Sequence, residues 1–225
     1  MGHTGPRVPA RRTLRRRADP VLARIRSHPF WRGLRDGTLP PAELARFAAQ
    51  DATFLVPAYA RALARGAAAA PGDGHGELLS SAAAATFGSL PRLRAELPGV
   101  GAGPVAGPAD PVVRAYASFL LAAPVTASFP GMVGALLPMS WFHLEVSREL
   151  AGPAAGGTRY ARWVAQFRAH DGFADYLEAL LTMADAVAAG ATGAQRREFF
   201  ELFSTAADFE LLLADYACSP LPQHH

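Results

Sequence analysis

The chain has no lysine, one cysteine and no long hydrophobic run. All 22 of its basic residues are arginine, which beside the abundant alanine and glycine reads as the coding bias of a GC-rich genome and not as a functional feature. Cys218 stands alone near the C-terminus, which excludes an internal disulfide and a cysteine-based zinc site. No apolar stretch reaches the roughly 18 residues that a bilayer-spanning helix needs. No glycine-rich phosphate loop follows a strand pattern, and no serine elbow or zinc motif is present. His143 and Glu145 are two positions apart and His170 and Asp171 are adjacent, so neither pair shares the helix face that a carboxylate-bridged metal centre requires. The expectation is therefore no metal, no cofactor and no membrane partner.

What is present is a chain of 225 residues, 50% hydrophobic, long enough to bury one full core. Its formal charge of +3 is misleading as a guide to partners. Arg7, Arg11, Arg12, Arg15, Arg16 and Arg17 precede the first acid, and without those six the remainder carries −3. A basic groove for phosphates is unsupported, so nucleic acid is not expected as a partner. Residues 1–18 read as a solvated, disordered tail. They are not an export signal, because no apolar core follows the arginines. The helical domain is placed at 19–218 and a flexible tail at 219–225, in a cytoplasmic protein.

Strand signals are weak throughout, and apolar residues recur at helical spacing, which predicts an all-α, single-domain bundle of about seven or eight helices. The Pro40–Pro41 pair opens a helix, since proline fits the first turn, and this helix should run from about 41 to 66. Further helices are expected over about 77–97, 110–122, 129–150, 159–169, 172–189 and 193–217. Pro138 lies inside the third of these six and should kink it, aiming the following turn into a cavity.

Two of these helices carry an acid on their apolar side. Around Asp51, Leu44, Phe47, Phe54, Leu55 and Ala58 stand at −7, −4, +3, +4 and +7, offsets that share one helix face. Around Glu210, Leu202, Phe203, Ala206, Leu213 and Ala217 do the same. A desolvated carboxylate needs a partner or a proton, so two such acids point to a polar pocket in an apolar core. On the Pro138 helix, Met139, His143 and Val146 share a face. His143 is either a general acid or base near neutral pH or a neutral core histidine bonded to a carbonyl or carboxylate. Tyr116 and Phe167 sit in apolar stripes that face inward, as core or as ligand contacts. Glu145 lies off that face and has Arg148 as a partner within reach.

With these residues in hand, the chain resembles the TenA or thiaminase II family over about 22–216. The resemblance rests on HPF followed by DGTLP and QD, on LLPMSWFHLEV, on YARWVAQF and on the acid-bearing last helix. It implies a haem-oxygenase-like fold with a central pocket, assembly as a homodimer or homotetramer, and an aminopyrimidine bound by Asp51 and Glu210, with Tyr116 assisting Glu210. Several family positions are changed. The family's catalytic cysteine falls on Met139, a thioether that cannot form a thiolate, and three tyrosines are replaced by Phe54, His143 and Phe167. Leu213 and Ala214 stand where Phe-Trp is usual.

Three functions stay open for this sequence. One is a thiamin-salvage hydrolase of the aminopyrimidine aminohydrolase kind, with Glu210 protonating the ring or activating water, Asp51 holding the amine and His143 assisting. Another is a cofactor-free enzyme of specialised metabolism that uses Asp51, Glu210 and His143 on a different small molecule. The more apolar lining at Phe54, Phe167 and Leu213 favours it. The third is a protein that binds a ligand without turnover.

Overall fold

The computed structural model describes residues 9–103, 105–152 and 157–219. In chain order its helices are α1 (Ala10–Ser27), α2 (Pro29–Asp36), α3 (Pro41–Gln50), α4 (Val56–Ala68), α5 (Asp73–Ala95), α6 (Pro111–Thr126), α7 (Phe129–Glu149), α8 (Ala161–Phe167), α9 (Phe173–Gly190) and α10 (Gly193–Cys218). A π turn, Asp51–Leu55, joins α3 to α4 in one rod, and a short 3-10 turn covers Pro98–Val100. Counting that rod once gives nine helices among the described residues, more than the seven or eight expected, and no strand appears among them.

The additional helices lie at the N-terminus, where the expected disordered tail is corrected for residues 10–18. These form the first half of α1, because Leu14, Ala18, Leu22 and Ile25 recur at helical spacing and all are buried. Arginines line the outer face and find partners there. Arg11 pairs with Glu178 at 2.6 Å and Asp185 at 3.3 Å on α9, and Arg17 donates to Ser204 Oγ at 2.8 Å on α10. The rest of the expected N-terminal tail, residues 1–8, and residues 220–225 of the C-terminal one lie outside the described residues.

The segment after α1 is a helix as well. His28 caps α2 by accepting the Phe30 N–H at 3.1 Å, Pro29 takes the first turn, and Gly37 ends it with a φ of 76° that suits glycine. At the other end of the chain, Thr192 and Gln195 form a capping box that starts α10. The expectation for α7, 129–150, agrees with Phe129–Glu149 to one residue, and the helix continues through Pro138.

The most extensive helix packing joins α7 to α10. It requires Gly134, since a Cβ there would run into the backbone carbonyl of Phe199. Around this pair the other helices close a core that includes Phe30, Leu63, Tyr116, Phe142, Phe199 and Phe203, each almost without solvent contact. No helix among the described residues is long and apolar enough to cross a membrane.

Candidate active site

Asp51 sits at the first position of the π turn, and the turn decides what shares its wall. In a regular α-helix Phe54 and Ala58 would lie on its face. Here the Val56 N–H bonds back to the Asp51 carbonyl, an i to i+5 step that inserts one residue into the turn. The face therefore advances to Leu55, Val56 and Tyr59, which line the cavity with Asp51. Pro57 is the local cause: it has no N–H, and in a continuous α ladder its ring would collide with the carbonyl of residue 53. The expectation that Phe54 contacts the substrate is corrected on this ground. It does not line the cavity and packs half-buried against the core.

The cavity has a volume of about 440 Å³ and a mainly apolar lining. Among the described residues Asp51 and Glu210 are its only acidic side chains, and Met139, His143, Phe167 and Leu213 also line it. Tyr116 does not reach the surface of the cavity, but its hydroxyl donates to Glu210 Oε1 at 2.5 Å from behind. Burial lifts Asp51 to about 7, helped by the negative field of Glu210. Burial likewise lifts Glu210 to about 7, opposed by the Tyr116 hydrogen bond, which favours the ionised form. Two such carboxyls near neutral pH hold about one proton between them and titrate as a pair. The tyrosine stabilises the ionised form of Glu210.

His143 lies opposite in chemistry. Its ring meets Phe167 edge-on at 4.9 Å and Phe173 at 5.2 Å between centroids. Burial pushes it down to about 4, with the positive field of His170 adding to the effect. Of the two roles open to it, the lowered value favours a neutral histidine over a general acid or base poised near pH 7.

Sequence reasoning missed a set of hydroxyls on the same wall. Tyr59 Oη lies 2.7 Å from Ser140 Oγ and donates to the Leu136 carbonyl at 3.1 Å, while Ser140 Oγ is 3.3 Å from Tyr176 Oη. All three side chains line the cavity. Tyr59 comes into place through the π turn, whose signal was Pro57. Tyr176 lies on a helix whose acids, Asp175, Glu178 and Asp185, do not line the cavity, so none drew attention to it. Phe142 lines the cavity too. Trp31, Phe47 and Trp163 pack around Phe167 with centroids 4.7 to 6.4 Å away.

Other candidates fall outside this centre. Glu145 pairs with Arg148 at 3.1 Å, as its position suggested, and with Arg26 at 2.6 Å. Cys218 does not line the cavity, and burial beside Glu43 pushes its thiol up to about 12. No group of three or more metal-ligating side chains is found among the described residues.

A family model described as TENA/THI-4/PQQC matches residues 15–101, the stretch that carries α1 to α5 and Asp51. Over that stretch the chain is similar to this family. An aminopyrimidine aminohydrolase from Halalkalibacterium halodurans is 27% identical over 205 residues, covering 88% of this chain and 90% of the relative. A TenA homologue from Pyrococcus furiosus superposes with a TM-score of 0.83 at 17% identity, over 92% of this chain and 98% of that one. A domain of unknown function with a haem-oxygenase-like fold from Shewanella denitrificans gives 0.68 at 12% identity, over 92% and 90%. The chain thus has the haem-oxygenase-like helical fold.

Proposed function

We propose that this protein is a cofactor-free TenA-type hydrolase that breaks a carbon–nitrogen bond on a small nitrogen-containing molecule, recruited to a substrate of specialised metabolism. The observation that carries the reading is the coupled Asp51–Glu210 pair, held by Tyr116 in an otherwise apolar cavity. Asp51 accepts from an exocyclic amine, and the proton shared by the pair serves a ring nitrogen. Glu210 takes a proton from water as the water oxygen bonds to carbon. The carbon–nitrogen bond then breaks with its electron pair on nitrogen, and Glu210 returns the proton to the leaving nitrogen. No thiolate enters these steps, consistent with a thioether at Met139 and a distant, strongly protonated Cys218. The Tyr59, Ser140 and Tyr176 hydroxyls are placed to hold the attacking water or a polar substituent. In this reading neutral His143 is a wall of the pocket and not a proton carrier.

A second reading, aminopyrimidine hydrolysis in thiamin salvage, is favoured by the curated relative of that name, which matches along nearly its whole length. Purified protein incubated with thiamin, formylaminopyrimidine and aminomethylpyrimidine tests both. Turnover of any, lost in Asp51→Asn and Glu210→Gln, supports salvage. No turnover and no thermal shift removes that reading and leaves the altered substrate. Acid variants that retain the native activity would remove the acid-pair mechanism altogether.

A further inference from the structure

The walls of the cavity are not uniform in charge. Its only acids, Asp51 and Glu210, lie among buried side chains, whereas its only arginines, Arg92 and Arg168, are exposed. Arg92 belongs to the last turns of α5 and Arg168 follows α8, so the ends of two separate helices supply them. Arg162 on α8 ties these helix ends together by a two-pronged pair with Glu96 just beyond α5, at 2.8 and 3.0 Å. That pair satisfies Arg162, while neither Arg92 nor Arg168 has an acidic partner among the described residues. The lining also includes apolar and aromatic side chains, among them Phe167, Phe173, Leu78 and Leu93.

Size points the same way. A single aromatic ring fills a cavity of roughly 150 Å³, and this one holds about 440 Å³. A lone aminopyrimidine at the acid pair would leave most of the apolar space empty, a poor use of desolvated surface. We infer that the substrate is elongated, with an amino-substituted nitrogen heterocycle at Asp51 and Glu210, an apolar body along Phe167 and Phe173, and an anionic terminus at Arg92 and Arg168. This rests on the acid-pair reading for the orientation of the head group. The apolar middle selects the body, and the arginines at the mouth supply charge-assisted hydrogen bonds where a carboxylate or phosphate can stay partly hydrated.

The test uses three N-acyl derivatives of aminomethylpyrimidine: the formyl compound, a six-carbon chain ending in carboxylate, and the methyl ester of that acid. Binding is measured by calorimetry and hydrolysis by ammonia-independent product analysis, for the wild type and for the double variant Arg92→Ala, Arg168→Ala. The carboxylate should bind roughly three- to tenfold more tightly than its ester at low salt, as expected for exposed ion pairs. The preference should shrink at high salt and collapse to about one in the double variant. Equal binding of acid and ester by the wild type, or a preference that survives loss of both arginines, overturns the inference. So does tight binding of the formyl compound with no gain from the chain. Arginine-dependent binding of the carboxylate without hydrolysis of any compound would sustain the elongated ligand while overturning the hydrolase reading. Hydrolysis of the formyl compound alone does the reverse.

Discussion

On one wall of the cavity Asp51 and Glu210 are lifted to about 7, while on another His143 is pushed down to about 4. The leading cause is the same in all three, since burial penalises whichever form is charged. The outcomes are opposite for function. Desolvation moves carboxyls from an ordinary value near 4 toward the pH at which acids and bases work, and it moves an imidazole away from that range. The neighbours reinforce the split: each acid has an ionisable or hydroxyl partner, whereas His143 has two phenyl rings and a second histidine. In the proposed reaction the two acids carry the chemistry and His143 gives the pocket its shape.

The largest change expected from breaking this contrast is on the acid side. Glu210→Gln removes the base while keeping an acceptor for Tyr116, and kcat on the hydrolysed substrate should fall roughly 10²- to 10⁴-fold. Asp51→Asn should lower both binding and rate, because the amine loses its acceptor. A Glu210→Gln rate within a few-fold of wild type would show that the acid pair is structural.

The same variant should be the more stable protein at alkaline pH. Glu210 binds its proton more tightly folded, at about 7, than at its ordinary value of 4.5. Its contribution is therefore fully present below 4.5 and is lost as pH rises through about 7, with a size of about 3 kcal/mol for such a shift. Thermal melts of Glu210→Gln against wild type should coincide near pH 4 and separate by pH 8, with the variant higher. Melts that separate toward acid would reverse the assignment.

Tyr116→Phe should act more mildly, through the loss of one hydrogen bond to a charged group. An interaction of that kind is worth about 1.5–3 kcal/mol, or roughly ten- to a hundredfold in kcat/KM if it is made in the transition state. Because the phenol holds Glu210 down, its removal should also move the activating limb of the pH–rate profile to higher pH. A lower rate with an unmoved profile would make Tyr116 a packing residue only.

How much of this was legible in the sequence differs between the two acids. Glu210 lies in an uninterrupted helix, and its expected neighbour Leu213 shares the cavity with it. Asp51 was found for the same reason, but its neighbours were assigned on a 3.6-residue period that the π turn breaks. Phe54 was thus chosen and Tyr59 overlooked, although Pro57 was there to announce a disturbed ladder. The N-terminal helix was hidden by charge: seven arginines and Asp19 in α1 drew attention away from a clean 14, 18, 22, 25 stripe. His143 could be placed on the cavity wall by spacing, but not its pKa. That value depends on Phe167 and Phe173, which reach it from α8 and α9, and on His170 between them. Periodicity reports which side of a helix is inside, not which foreign side chains meet it there.

The smallest change in rate is expected at His143. Replacing it with phenylalanine keeps a ring between Phe167 and Phe173, and kcat at neutral pH should stay within about threefold, since an imidazole with a pKa of about 4 holds no proton to give there. Stability should respond instead, and with the sign opposite to that of the acids. The folded state binds this proton more weakly than the unfolded chain, so the stability that His143 contributes is complete above about 6.5 and is lost as pH falls toward 4. His143→Phe should therefore melt higher than wild type by an amount that grows from pH 7 to pH 5, where it corresponds to about 2 kcal/mol. If kcat instead fell by a hundredfold at neutral pH with no such divergence in the melts, His143 would belong with Asp51 and Glu210 after all, and the division of the cavity into a reactive wall and a shaping wall would not stand.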